Sequence, residues 1–284
     1  LLDPWSVGAT ALIPSSDTEI DDIPTLLAEH QATIFAAAPG VYRRMLRAPQ
    51  FPSLPDLRHG LSAGEKLSET LRDDWRHATG GEIYEAFGMS ECSTFISSSV
   101  NAPAKPETLG RPQKGRRVAI LSTEPDGQPV DFGETGIIAV DREDPGLMLG
   151  YLGEDEQDLF RDNWFLTGDL GQMQSDGSVR YMGRNDEVIT AGGYRVSPIE
   201  VEDQLITHPE IQTVAVKDLE IKANTRVIVA FYTSENDIQE AELHAFSSQK
   251  LARYKNPRLY IRLASLPVGP NGKLLRRELS FNME

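Results

Sequence analysis

Two positions stand out by type and spacing. Thr167, Gly168 and Asp169 lie upstream of a turn signal at Asp176-Gly177, and Gly183, Arg184, Asn185 and Asp186 lie downstream of it. Asp-Gly favours a two-residue hairpin turn. Counting back from that turn brings Asp169 opposite Arg184 at the open end of the hairpin. A carboxylate there can accept both hydroxyls of a ribose cis-diol, and the guanidinium can donate to the same sugar or to its phosphate. The same two residues also make a plain cross-strand ion pair, and the spacing alone leaves both readings open.

Residues 84–91, YEAFGMSE, place an aromatic ring, a glycine, a hydroxyl and a carboxylate at the end of an expected strand. Phe87 can stack on a base, and Gly88 lets backbone approach a ligand. Ser90 can donate to a phosphate, and Glu91 can hold Mg2+, which takes a carboxylate together with phosphate oxygens. The local alternative is a strand–turn–helix with Ser90 as its N-cap. Residues 62–65, SAGE, make a small-residue turn before a helix, able to lay backbone along a base or an acyl group, or to serve as an ordinary loop. Lys273 sits in a Gly/Pro/Asn-rich loop ahead of Arg276 and Arg277, where a lysine reaches a phosphate as a point charge or stays solvated. Gly192 and Gly193, followed by Arg195, mark unusual dihedrals or a close approach. Glu200 is explained by a capping box with Ser197, and Cys92 reads as a small buried apolar residue.

The elements that must position these groups follow from periodicity and punctuation. Residues 21–30, 41–46 and 67–77 read as helices, with strands at 33–38 and 82–87. That alternation predicts an α/β layer with parallel strands, the strand at 33–38 being buried. From residue 111 to 185, turn signals separate short β-rich runs at 117–121, 136–140 and 179–182, which predicts an antiparallel, barrel-like segment. Ser197, Pro198 and Glu200 start a helix. Strands at 213–216 and 227–232 and a helix at 238–251 complete a small α+β domain. The expected domains are 1–185 and 186–284, with the boundary at residues 183–186.

Composition narrows the function. The 284 residues are 39% hydrophobic and 25% charged, which suits a sizeable core and excludes wholesale disorder. The net charge of −15 is the wrong sign for a generic nucleic-acid binder or a membrane-surface protein. The charge is uneven, because residues 251–284 carry seven basic and two acidic side chains. A basic tail on an acidic body suits one small polyanion, or else is a solvated basic face. The single cysteine rules out an internal disulfide and fits a reducing, cytoplasmic setting. No apolar run reaches the roughly 18 residues that a membrane span needs.

Taken together and in order, seven segments resemble the acyl-activating, adenylate-forming superfamily, which includes acyl- and aryl-CoA synthetases, adenylation domains of peptide synthetases and luciferases. They are SAGE, YEAFGMSE, Gly110-Arg111-Pro112, FLTGD at 165–169, GRNDEVITAGGYRVSPIEVE at 183–202, LARYKNP at 251–257 and PNGKLLRREL at 270–279. The resemblance covers essentially the whole chain. It implies that Gly64, Glu65 and Phe87 contact adenine, Ser90 a phosphate, Glu91 Mg2+, and Asp169 and Arg184 the ribose. It further implies that Asp186 is the hinge, that Gly193, with Arg195 near it, borders the pantetheine tunnel of coenzyme A, and that Lys273 contacts the carboxylate and α-phosphate. ATP or AMP, Mg2+, coenzyme A and a carboxylic acid are the expected partners, in fatty or aromatic acid metabolism. The acid would meet residues 35–39, Ala63, Gly88 and Met89, where three alanines suit a ring or a chain alike. The family's Ser/Thr/Gly-rich loop ending in Lys has no counterpart here, and residues 1–14 resemble a mid-domain segment of the family. The expectation is therefore the C-terminal portion of a carboxylate–CoA ligase, without its N-terminal half and inactive alone. The alternatives are an adenylation domain serving a carrier protein and a non-catalytic AMP-binding module.

Overall fold

The computed structural model of the chain describes residues 2–48, 51–124, 127–153, 159–191, 194–222, 225–269 and 274–281. Lys273 and Gly193 lie outside the described residues. The chain divides into two compact units, Leu1–Tyr84 and Glu85–Glu284.

In the first unit, helices α1 (Leu2–Ser6) and α2 (Ile23–Glu29) precede β1 (Ile34–Ala37), α3 (Pro39–Met45), β2 (His59–Ala63) and α4 (Glu69–Thr79). Ser68 starts α4 by accepting the Leu71 amide at 3.3 Å, satisfying one of the free donors of its first turn. β1 and β2 pair in parallel, as the α/β rhythm predicts. Tyr42 ties α3 to both strands by donating to the carbonyls of Phe35 at 2.9 Å and Leu61 at 3.0 Å. Its ring meets Trp75 edge-on at 4.9 Å within a core that also holds Met45, Leu71 and Ile83. β1 is not the buried strand expected, since Ile34 is 48% exposed.

β3 (Glu82–Met89) runs into the second unit, where it turns tightly into β4 (Ser93–Ser97). This corrects the strand–turn–helix alternative, for no helix starts at Ser90. It also ends the parallel pattern. A parallel return needs a crossover of a dozen or so residues, and residues 90–92 allow only a hairpin. β4 pairs antiparallel with β3 and with β5 (Arg111–Pro112). Gly88 is needed here for a reason other than ligand approach: a Cβ on it would lie 2.3 Å from the Ser93 carbonyl oxygen and 2.7 Å from Thr94 Cα. Both are backbone atoms and cannot give way. Gly88→Ala should therefore lower the unfolding free energy by about 1–3 kcal/mol, read as a shift in the urea midpoint.

The β-rich stretch forms an antiparallel sheet ordered β10-β9-β7-β6. Its strands are β6 (Val118–Leu121), β7 (Thr135–Asp141), β9 (Trp164–Met173) and β10 (Val179–Arg184), with the short β8 (Phe160–Arg161) against β9. The small α+β part follows: a hairpin β11 (Ile189–Ala191) and β12 (Tyr194–Val196), then α5 (Pro198–Leu205), β13 (Thr213–Lys222), β14 (Thr225–Thr233), α6 (Glu240–Lys250) and β15 (Leu259–Arg262). Val196, Val201, Leu205, Val216, Ala230 and Leu243 build its core. The fold class is thus α/β, then barrel-like β, then small α+β. Among the described residues no helix is long and apolar enough to cross a membrane.

Candidate nucleotide site

Asp169 and Arg184 do face each other across β9 and β10. The route differs from the one the sequence predicts. The turn holds three residues, not two: the Gln174 amide donates to the Ser178 carbonyl and the Gly177 amide back to Gln174, both at 2.8 Å, with Gly177 at φ +81°. This is the three-residue hairpin loop closed by a left-handed glycine. It shifts the register by one, and an irregularity between Tyr181 and Gly183 shifts it back. The bulge at Met182 is therefore what sets Arg184 opposite Asp169.

The bulge also recruits Tyr181. In a regular strand residues 181 and 184 would point to opposite faces. Here Tyr181 donates to Asp169 Oδ1 at 3.1 Å while Arg184 Nη1 lies 3.5 Å from Oδ2. Asp169 is 8% exposed, and its amide donates to Thr167 Oγ1 at 3.1 Å. Arg184 Nη1 donates to the Thr167 carbonyl at 3.0 Å, and Nε to Asp186 at 3.2 Å. Gly168, at φ +75°, makes room for the guanidinium: a Cβ there would come within 2.8 Å of Arg184 Nη2. Burial and the neighbouring Asp169 charge raise the Tyr181 phenol pKa, so it stays a donor.

Tyr181 connects this pair to the second motif. Its ring lies 5.4 Å from that of Phe87, tilted by 47°, and Phe87 in turn packs edge-on against Phe95. Phe87, Tyr181, Asp169, Arg184 and Asp186 thus form one continuous surface running from an aromatic face to a carboxylate–guanidinium pair. Sequence reasoning missed Tyr181, because only the bulge turns it toward Asp169.

Ser90 is exposed at the tip of the β3–β4 hairpin. Glu91 next to it accepts the Tyr151 hydroxyl on Oε1 at 2.5 Å. No basic side chain pairs with Glu91 among the described residues. Arg195, on β12, donates to Asn185 at 2.8 Å, beside Arg184. In the first unit Gly64 adopts φ +94°, and the half-buried Arg43 feels the charge of Glu65.

Three basic side chains of the tail, Lys255, Arg276 and Arg277, meet acidic partners within the chain. Arg276 is nearly buried and pairs with Glu187 at 3.1 Å and with Glu202, and its Nη1 donates to the Val216 carbonyl at 2.6 Å. Arg277 lies 3.6 Å from Asp186. Lys255 pairs with Glu200, so the capping box is half made: Ser197 accepts the Glu200 amide at 3.3 Å, and the Glu200 carboxylate turns to Lys255. That ion pair stands on the wall of a cavity of about 360 Å³ between β10 and α5. Val268 forms an antiparallel bridge with Leu274, two residues before Arg276.

Residues 1–152 match the family model described as AMP-binding enzyme, and residues 200–273 match the AMP-binding enzyme C-terminal domain. The acyl-coenzyme A synthetase ACSM3, mitochondrial, of Rattus norvegicus is 31% identical over 97% of this chain and 50% of its own length. Among solved structures, the anthranilate CoA ligase AuaEII in complex with anthranoyl-AMP superposes with a TM-score of 0.87 at 30% identity, over 98% of this chain and 55% of that one. The o-succinylbenzoate coenzyme A synthetase MenE from Bacillus subtilis, in complex with ATP and magnesium ion, superposes with a TM-score of 0.79 at 26% identity, over 92% and 54%. The chain spans about half the length of the relatives it matches.

Proposed function

The chain belongs to the AMP-binding enzyme family, and from that membership we propose that it is part of an AMP-forming acid–thiol ligase. The observation that carries this reading is the continuity from Phe87 through Tyr181 to Asp169 and Arg184. An aromatic face beside a diol-accepting carboxylate suits a base and its ribose. Phe87 then stacks on adenine, a role that the resemblance extends to Gly64 and Glu65. Asp169 accepts the ribose hydroxyls, with Arg184 donating beside it, and Ser90 donates to the phosphate.

The reaction has two steps. A carboxylate oxygen attacks the α-phosphorus of ATP, the bond to the β-phosphate breaks, and acyl-AMP and pyrophosphate form. The thiolate of coenzyme A then attacks the acyl carbonyl, and AMP leaves. Both steps rest on positioning and charge neutralisation. Lys273 offsets the repulsion between carboxylate and α-phosphate in the first step. Gly193 and Arg195 border the path of the thiol arm in the second, after residues 186–284 turn about Asp186. Glu91 would fit a metal ligand of the kind that Mg2+ takes, one carboxylate completed by phosphate oxygens, because its side chain accepts only the neutral Tyr151 hydroxyl among the described residues. Mg2+ bound there with phosphate oxygens supplies positive charge beside the transferring group. Small side chains at Ala36, Ala37 and Ala38 suit a fatty or an aromatic acid, and the lone, buried Cys92 suits a reducing compartment such as the cytoplasm.

The second step needs no cradle for the β- and γ-phosphates, so it is the step on which the expected inactivity of this chain is tested most stringently. The test supplies preformed acyl-AMPs, aliphatic and aromatic, with coenzyme A, and follows AMP release. Release above the uncatalysed rate with any of them supports the ligase. Tight AMP binding with no release for any of them makes the chain a binding module instead. Lys273→Ala should spare this half-reaction and remove any exchange of pyrophosphate into ATP. Equal losses in both would take Lys273 out of the first step.

A further inference from the structure

Glu91 is held at both ends by one segment. Its carbonyl accepts the Met148 amide at 2.6 Å, and its carboxylate accepts the Tyr151 hydroxyl at 2.5 Å. The turn beyond it is held from the same direction. Arg116 donates to the carbonyls of Cys92 at 2.5 Å and Thr94 at 3.2 Å. Arg116 is itself fixed by Asp144, whose carboxylate is fully buried, lies 2.9 Å from Arg116 Nε and accepts the amides of Arg117 at 2.7 Å and Gly146 at 2.9 Å. Gly146 lets the segment pass over the guanidinium, since a Cβ there would lie 2.2 Å from Arg116 Nη1. Residues 144–151 therefore run from a buried ion pair under the hairpin turn to a hydroxyl on the Glu91 carboxylate.

We propose that Tyr151 is a positioning residue for the metal-binding carboxylate, setting the Glu91 side chain through a neutral hydrogen bond that leaves its charge and its second oxygen for the cation. The inference rests on the reading of Glu91 as the Mg2+ ligand. Its chemistry is specific. A lysine or arginine in the place of Tyr151 would orient the carboxylate equally well but would neutralise it. A phenol orients without neutralising, and Tyr151, 43% exposed, can shift when the cation arrives. Hydrogen-bond partners of metal ligands of this kind are worth about 10- to 100-fold in metal affinity.

The test uses Mn2+ as the probe with ATP, the ternary complex being read from water-proton relaxation, and calorimetric AMP binding without metal as the control. Tyr151→Phe keeps the ring and removes only the hydroxyl. It should weaken Mn2+ in the ternary complex about tenfold and leave metal-free AMP affinity unchanged. Glu91→Gln should lose the Mn2+ complex. If Tyr151→Phe matches the unsubstituted chain while Glu91→Gln loses the metal, positioning by Tyr151 is overturned and the metal reading stands. A loss of metal-free AMP binding in Tyr151→Phe would show a merely structural role and also overturn it. If Glu91→Gln retains Mn2+, or the unsubstituted chain forms no complex, the metal reading falls and the inference falls with it.

Discussion

Asp169→Ala is expected to weaken AMP binding by about 3 kcal/mol, more than a hundredfold. The carboxylate lies at the centre of the polar surface. It is 8% exposed, takes the Tyr181 hydroxyl at 3.1 Å and faces Arg184 at 3.5 Å. Removing it takes away the acceptor for the sugar and leaves the half-buried Tyr181 phenol without this partner, and an unmet donor away from water costs part of its desolvation. Arg184 suffers less, because it keeps the Thr167 carbonyl and Asp186. Calorimetry with AMP and with 2′,3′-dideoxy-AMP separates a ribose contact from general damage. The unsubstituted chain should prefer AMP, and Asp169→Ala should lose that preference. A variant that still discriminates between the two ligands would place the carboxylate away from the diol. Tyr181→Phe, which leaves the carboxylate in place, should cost only about 1 kcal/mol, that of one hydrogen bond.

The partners of Asp169 show what could be read from the sequence and what could not. Element types were legible wherever local chemistry decides them. Ser197 caps the helix it precedes, as its capping box indicates, and the β-rich runs after residue 111 pair antiparallel. The pairing of Asp169 with Arg184 was legible too, although two compensating departures lie behind it. A three-residue turn moves the register one way and the Met182 bulge moves it back. The turn has a local signature, the glycine at its third position, but Asp-Gly reads equally as a two-residue turn, and nothing in Met182 marks the bulge. Tyr181 was hidden for the same reason, since period-two reasoning points it away from the carboxylate that it contacts. The hairpin at residues 90–92 was misjudged because a hydroxyl after a strand signals a cap and a turn equally well, and only the pairing of β4 decides. Long-range charge was the least legible. Arg276 reads as part of a free basic tail, yet Glu187 and Glu202, far away in sequence, neutralise it.

Asp144→Ala should lower the unfolding free energy by about 3–5 kcal/mol, because removing one member of a buried ion pair leaves the other uncompensated. Asp144 has no exposed side-chain surface, and Arg116 has 11%. Replacing both by apolar residues of similar size often recovers such a loss. Here Asp144→Leu with Arg116→Met should recover only part of it, since the guanidinium also satisfies the carbonyls of Cys92 and Thr94 and a thioether cannot. Full recovery in urea unfolding would mean that the pair orders the turn without stabilising the fold. The single cysteine reports which. Cys92 has no exposed surface, and burial pushes its thiol pKa up to about 12, so a thiol reagent reaches it only when the turn opens. If the pair acts on the whole unit, Asp144→Ala should raise the labelling rate by the same factor as it raises the unfolded fraction. If the pair acts on the turn alone, labelling should rise while the urea midpoint stays in place, and the Glu91 hairpin would be a locally opening element pinned by Arg116.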